Sequence, residues 1–328
     1  MMFACFRKRR VFIMKKFLAL VIAIMTVLNI VPAFATEYLG LATGGTAGTY
    51  YALGGDIAAL WMSKIPDLDV TAQSTGGSKA NIILINEGDA ELATVQNDVM
   101  YYAYEGNQDF FDGQVIDSFQ AIGYLYPELV QIVVAADSDI HTIADLKGKQ
   151  VSVGAVGSGV YFNAVQILGN AGLTMDDITP HYLSFDESAS SFQNKQIDAF
   201  FITAGLPNTA IVEVANKIDV RLIGLDEADM TRLSETYSYY VPVTVPAGTY
   251  NGMTEDVTVP AVGAVLICSK DLSEDLVYNL TKVLYEDTAE LSHAKKAEIS
   301  AENAVKGIPV PFHPGAEKYF KEKGLLAD

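Results

Sequence analysis

Residues Gly40 to Lys64 read GLATGGTAGTYYALGGDIAALWMSK. Tyr38 to Thr43 is a short apolar run of strand type, and Gly44 to Thr49 holds three glycines and two threonines. From Tyr50 onward, Leu53, Ile57, Leu60 and Trp61 recur at helical spacing. The stretch therefore predicts a strand, a loop of small residues and a helix. Such a loop leaves backbone N–H groups free at the positive end of the helix, where they attract anions. Glycine admits close approach to the backbone, and Thr46 and Thr49 add hydroxyl donors. Leu53 and Ile57 mark the core face of the helix, which turns Tyr50 toward a cleft. Trp61, the single tryptophan, is expected near the surface at the helix end.

The pattern occurs twice more. Thr71 to Ser78, TAQSTGGS, follows a short strand and precedes the apolar segment Asn81 to Asn86; it offers Thr75 and Ser78 as donors. Val151 to Gly159, VSVGAVGSG, leads into the helix Val160 to Ala171; it offers Gly157, Ser158 and Gly159, with Tyr161 placed to cover a ligand. Any one of these loops could be an ordinary turn. Three of the same composition, each between a strand and a helix, point to the carboxyl ends of strands in an open α/β sheet, where ligands bind. Two further strand ends carry polar groups: Gln96 and Asn97 after Glu91 to Gln96, and Thr203 after Ile197 to Ile202. Asp98 reads as the cap of the helix Val99 to Tyr104.

Residues 1–35 read as a secretory leader. A basic start, an apolar run from Phe17 to Val31 and Ala33-Phe34-Ala35 before Thr36 make a signal peptide with a cleavage site near Ala35. The leader carries six basic and no acidic residues, so the remainder holds 16 basic against 40 acidic, a net charge of −24. That charge speaks against nucleic acid and anionic lipid as partners. Cys268 is the one cysteine beyond the leader; it excludes an intramolecular disulfide and reads as a buried small hydrophobe.

About 290 residues suit two lobes rather than one typical domain. Alternating strands and helices imply a mainly parallel sheet. Pro127 and Glu128 read as a break between the strands Phe119 to Tyr126 and Leu129 to Ala136. The second of these and Ala261 to Ser269 are the candidates to carry the chain between lobes. The expected division is 36–128 and 262–328 for one lobe and 129–261 for the other.

Several segments together resemble one family. They are TGGTAGTYYALGG (Thr43 to Gly55), QSTGGSKANIILINEGDAELATVQNDVMYYAYEG (Gln73 to Gly106), LYPELVQIVV (Leu125 to Val134) and DLKGKQVSVGAVGSG (Asp145 to Gly159). QIDAFFITAGLPNTAI (Gln196 to Ile211) and PAGTYNG (Pro246 to Gly252) extend the match. In this order they resemble the TAXI family, the substrate-binding receptors of one class of tripartite ATP-independent periplasmic (TRAP) transporters. The resemblance implies a two-lobe type II periplasmic binding fold. It also implies a small organic anion or amino acid as ligand (a dicarboxylate, 2-oxoglutarate, glutamate or glutamine) and delivery to a two-component membrane permease.

Neither arginine beyond the leader, Arg221 or Arg232, falls in a candidate loop. Ligand binding would thus rest on neutral donors, with Lys79 as the nearby cation. Each such bond contributes about 0.5–1.5 kcal/mol, so several must converge. Enzyme signatures are missing: Gly157-Ser158-Gly159 is not a nucleophile elbow, and His141, His181, His293 and His313 are scattered. The first loop lacks a phosphate-loop lysine. No cofactor or metal is expected. A same-fold binding protein of an ATP-driven importer, or an extracytoplasmic sensor, remains open.

Overall fold

The alternation of short apolar runs with helical segments folds, in the computed structural model, around one sheet. Residues 36–327 are described; the leader lies outside them. The first half of the chain runs β1 (Glu37–Ala42), α1 (Thr49–Lys64), β2 (Leu68–Gln73), α2 (Ser78–Glu87), β3 (Leu92–Gln96), α3 (Asn97–Glu105), α4 (Gln108–Phe111) and β4 (Phe119–Ala135). Next come β5 (Gln150–Ser152), α5 (Gly159–Asn170), β6 (Thr179–His181), α6 (Phe185–Gln193), β7 (Ala199–Ala204), α7 (Thr209–Ala215) and β8 (Val220–Ile223). The chain closes with α8 (Glu227–Thr236), β9 (Val241–Val245), β10 (Val257–Ser269), α9 (Glu274–Glu286), α10 (Ala301–Ala304) and α11 (Pro314–Glu322).

The strand order is β2-β1-β3-β10-β4-β7-β5-β6, with β8 on β4 and β9 on β10. β1 and β3 pair in parallel, as do β5 with β6 and β7, while β4 and β10 run antiparallel to their neighbours. Two groups of parallel strands thus flank an antiparallel pair. This is the α/β, two-lobe arrangement of type II periplasmic binding proteins.

Strand alternation assigns the two faces of each half to separate cores. On β10, Ala264, Leu266 and Cys268 join α1, α9 and α11 through Leu53, Trp61, Leu280 and Phe320. Val265 and Ile267 join α2 and α3 through Ile82, Val99 and Met100 on the opposite face. In the other half, Val130, Ile132 and Val134 pack with α5 and α8, and Leu129 and Val133 pack with α6 and α7.

Three local expectations change. β4 does not stop at Pro127. It continues through Pro127 and Glu128, with Pro127 opposite Gly263 of β10. Proline has no N–H to give the ladder, and the Gly263 N–H opposite it also leaves the ladder, donating to Asn97 Oδ1 at 2.9 Å. Register shifts between Ala264 and Val265 and between Leu266 and Ile267 leave Leu125 and Ile122 as extra residues in β4, and both enter the same core. Trp61 is wholly buried and donates to Leu280 O at 2.9 Å, so it belongs to a core and not to the surface. Asp98 lies inside the first turn of α3, whose cap position is Gln96.

Candidate functional site

α1, α2 and α5 start on one cavity. Its wall includes Gly44, Gly45, Gly48 and Thr49 from the first loop, Thr75 to Ser78 from the second, and Ala155, Ser158 and Gly159 from the third. Tyr50, Gln96, Glu128, Ser184, Phe185, Thr203 and Ala204 complete it. The cavity measures about 80 Å³. Room for one water takes about 10–15 Å³, so several waters or a small organic molecule fit.

The helix starts are electrostatically exposed. α1 and α2 begin after Gly48 and Gly77 without a side-chain cap, and α1, α2 and α5 have no acidic residue in the first turn. By contrast α8, α9 and α11 open with carboxylates that offset the dipole. Three uncompensated positive ends around one cavity favour an anionic group. Gly77 has φ +104°, in the region that glycine tolerates and other residues avoid, and a side chain there would also reach the backbone of Ser158.

The loops of the two halves touch. Ala80 N donates to Gly157 O at 3.1 Å, and Asn208 Nδ2 reaches Ala47 O at 3.4 Å. Gly159 lies so close to Gln96 that a Cβ there would collide with Gln96 Oε1. Gln96 Nε2 donates to Asn163 Oδ1 at 2.7 Å, which also accepts from Thr203 Oγ1 at 2.8 Å. Asn163 Nδ2 donates to Asp98 Oδ2 at 3.0 Å and to Tyr240 OH at 2.8 Å. Tyr240 and Tyr102 in turn meet the amide of Gln166. One buried asparagine thereby ties β3, α3, α5, β7 and Tyr240 together.

Of the residues singled out in the sequence, Thr49, Tyr50, Thr75, Ser78, Gln96, Ser158, Gly159 and Thr203 lie on the cavity. Ser158 Oγ also caps α5, accepting from Tyr161 N at 3.3 Å, and Ser78 Oγ accepts from Gln96 N at 3.1 Å. The other four lie elsewhere. Thr46 is exposed, with Oγ1 3.4 Å from Asp186 Oδ2. Asn97 pins Gly263 and Gly307 and faces a separate surface groove. Gly157 contributes its carbonyl to Ala80. Tyr161 packs between Phe162 and Tyr182. Lys79 turns away from the cavity: its Nζ donates to Phe110 O at 2.6 Å and sits over Phe111. The ammonium closer to the cavity wall is Lys295, since a Cβ on Gly205 would lie 2.5 Å from Lys295 Cε and 3.1 Å from Thr49 Oγ1. Arg221 meets His141 and Ser138, and Arg232 meets Asn170 and Asp229. Neither lines the cavity.

Sequence reading passed over Glu128. It is 2% exposed and lines the cavity, and Oε2 accepts from Tyr50 OH at 2.5 Å. Burial pushes its pKa up to about 8, against a lowering by the Tyr50 hydrogen bond and by Lys295. Asp98 is likewise raised by burial, to about 7, against lowering by its hydrogen bonds. The signal for Glu128 was a carboxylate inside the apolar stretch Leu125 to Val134, masked by the adjacent proline. Ser184 and Phe185, at the start of α6, had no glycine loop to announce them.

Among the described residues there is no group of His, Cys, Asp or Glu arranged to hold a metal, and no helix is long and apolar enough to cross a membrane. Cys268 is free and buried, and its thiol is pushed far up by burial.

A protein of Escherichia coli (strain K12) described as binding aliphatic sulfonates is 33% identical over 115 residues, which is 35% of this chain. The match spans about a third of that relative, 33% of its length. A structure described as a periplasmic transporter superposes with a TM-score of 0.51 at 13% identity, over 88% of this chain and 93% of that one. A structure concerned with glutathione import in Gram-positive bacteria and a cystine ABC importer of Streptococcus mutans gives 0.50 at 14% identity, over 80% and 94%. At these identities the structures speak to the fold alone. The model of the NMT1-like family matches residues 41–324, nearly all of the described chain, and the protein belongs to that family.

Proposed function

We propose that this chain is an extracytoplasmic solute-binding protein. It captures a small organic anion or amino acid in the cavity described above and hands it to a membrane transporter. The observation that carries the reading is the convergence of three helix starts, from α1, α2 and α5, free of acidic first turns, on one cavity. The ligand's carboxylate meets backbone N–H groups and the hydroxyls of Thr49, Thr75, Ser78, Ser158 and Thr203. The lobes are taken as 36–128 with 262–328, and 129–261. They close over the ligand, which shifts the equilibrium toward the closed form by contacting both. The leader directs the chain across the membrane, with cleavage near Ala35.

The motif resemblance makes the partner a TAXI-type TRAP permease. A second reading, a binding protein of an ABC importer, is favoured by the sulfonate-binding relative. The first test is a thermal-shift and calorimetric screen of C4-dicarboxylates, 2-oxoglutarate, glutamate, glutamine and an alkanesulfonate. A ligand at 100 times its dissociation constant stabilises by about 2.7 kcal/mol. Absence of any shift across the whole screen rejects the reading, and a shift with the sulfonate alone favours the second. Uptake into vesicles carrying the permease separates the partners: an ion gradient drives the first, ATP the second.

A further inference from the structure

The cavity has two electrostatic ends. Helix starts supply the positive one. The negative one is Glu128, on β4 where that strand passes from one half of the molecule to the other. Its Oε2 is occupied by Tyr50 OH, and among the described residues Oε1 takes no hydrogen bond. Lys295 does not neutralise it by contact: its described ion pair is with Glu298, at 2.5 Å, and its Nζ lies 5.6 Å from the Tyr126 ring centroid. A carboxyl group 2% exposed with an unused oxygen on a cavity carries its charge only when a cationic partner arrives.

We propose that Glu128 is the recognition site for a protonated amine, so that the ligand is an amino acid with its ammonium on Glu128 Oε1 and its carboxylate at the helix starts. This rests on the cavity being the solute site. Tyr50 orients the carboxylate by holding Oε2, and its own ionisation is suppressed by burial and by Glu128. The charged and titratable groups that face Glu128 are Tyr50 on α1, Tyr126 and Tyr124 on β4, Asp98 on α3 and Lys295. Asp98 opposes ionisation of Glu128 and Lys295 favours it. Without a cation in the cavity Glu128 holds its proton at neutral pH; an arriving ammonium ionises it, and the proton leaves to the buffer. Binding of an amino acid therefore releases protons near pH 7.

The test compares matched pairs by calorimetry: L-glutamate against glutarate and 2-oxoglutarate, and L-glutamine against its deaminated counterpart. The amine-bearing member is expected to bind the unmodified protein about tenfold tighter or more, the worth of one charge-assisted hydrogen bond. Its apparent heat should change between buffers of different ionisation enthalpy in the sense of proton release. In Glu128→Gln the amine preference should fall to within about threefold, while binding of the deaminated members persists. Equal affinity within each pair for the unmodified protein overturns the proposal and leaves the solute-binding reading standing. If no member of either pair binds, this proposal falls, and the solute-binding reading falls with it unless the alkanesulfonate binds. The comparison within pairs needs no variant, so misfolding of Glu128→Gln does not blunt it.

Discussion

Two buried carboxylates within one molecule differ in what lies beside them. Asp98 and Glu128 are both enclosed, and burial raises both toward neutrality. Asp98 receives on Oδ2 the Asn163 amide, which is itself engaged with Gln96, Thr203 and Tyr240, while its Oδ1 is buried without a partner among the described residues. Glu128 receives a tyrosine hydroxyl on one oxygen and leaves the other toward the cavity. A carboxylate tied into a buried network away from the cavity holds the fold together. One that lines the cavity with an oxygen to spare is placed to hold something else.

The largest expected effect lies on the Asp98 side. Asn163→Ala removes the hub and strands several buried groups, so stability should fall by about 3–4 kcal/mol, read as a shift in urea midpoint. Ligand affinity should drop as well, because Gln96 and Thr203 lose their anchor. A loss below about 1 kcal/mol would mean that water replaces the amide readily.

The pH dependence of stability tests both acids at once. A carboxyl with a raised folded pKa binds more protons folded than unfolded between its two pKa values, so stability falls as pH rises through that window. For Asp98 the window runs from 3.8 to about 7, and for Glu128 from 4.5 to about 8. Each group should contribute a slope of about −1.4 kcal/mol per pH unit at most within its window. Asp98→Asn and Glu128→Gln should each flatten the curve over its own window. Urea melts from pH 5 to pH 8 without ligand would reveal a flat wild-type profile if both acids stay ionised.

A smaller effect separates cavity hydroxyls from surface ones. Ser158→Ala loses the α5 cap, for about 1 kcal/mol of stability, and should weaken ligand binding several-fold. Thr46→Ala should change affinity little, since Thr46 faces Asp186 across exposed loops. The double variant should match Ser158→Ala alone in calorimetry. The smallest effect belongs to Arg232→Gln. Its partners are exposed, so stability should move by less than about 1 kcal/mol and affinity not at all. Loss of binding there would mean that the anion sits outside the cavity.

Much of this arrangement could be read from the residues in order. Each strand, glycine loop and helix of the first site segments is a local pattern, and local patterns survive without knowledge of what packs against them. Glu128 and Asn163 could not be read that way. Pro127 is a strand breaker by its own chemistry, and only the pairing with β10 on both sides of it lets β4 continue past it. Asn163 lies on a helix face that looks like any other until β3 and β7 come alongside. Trp61 was misplaced for the same reason: its burial is decided by α9, more than 200 residues downstream.

The pairing of β4 with β10, from the Leu129–Ala261 pair to the Phe119–Ser269 pair with two register shifts between, makes the bridge between the halves a ribbon and not a pair of loose linkers. A ribbon yields by twisting along its length while its rungs stay intact. Amide deuteration should accordingly be slow along these strands whether the protein is free or loaded, and the exchange that responds to ligand should be confined to the glycine loops that frame the entrance.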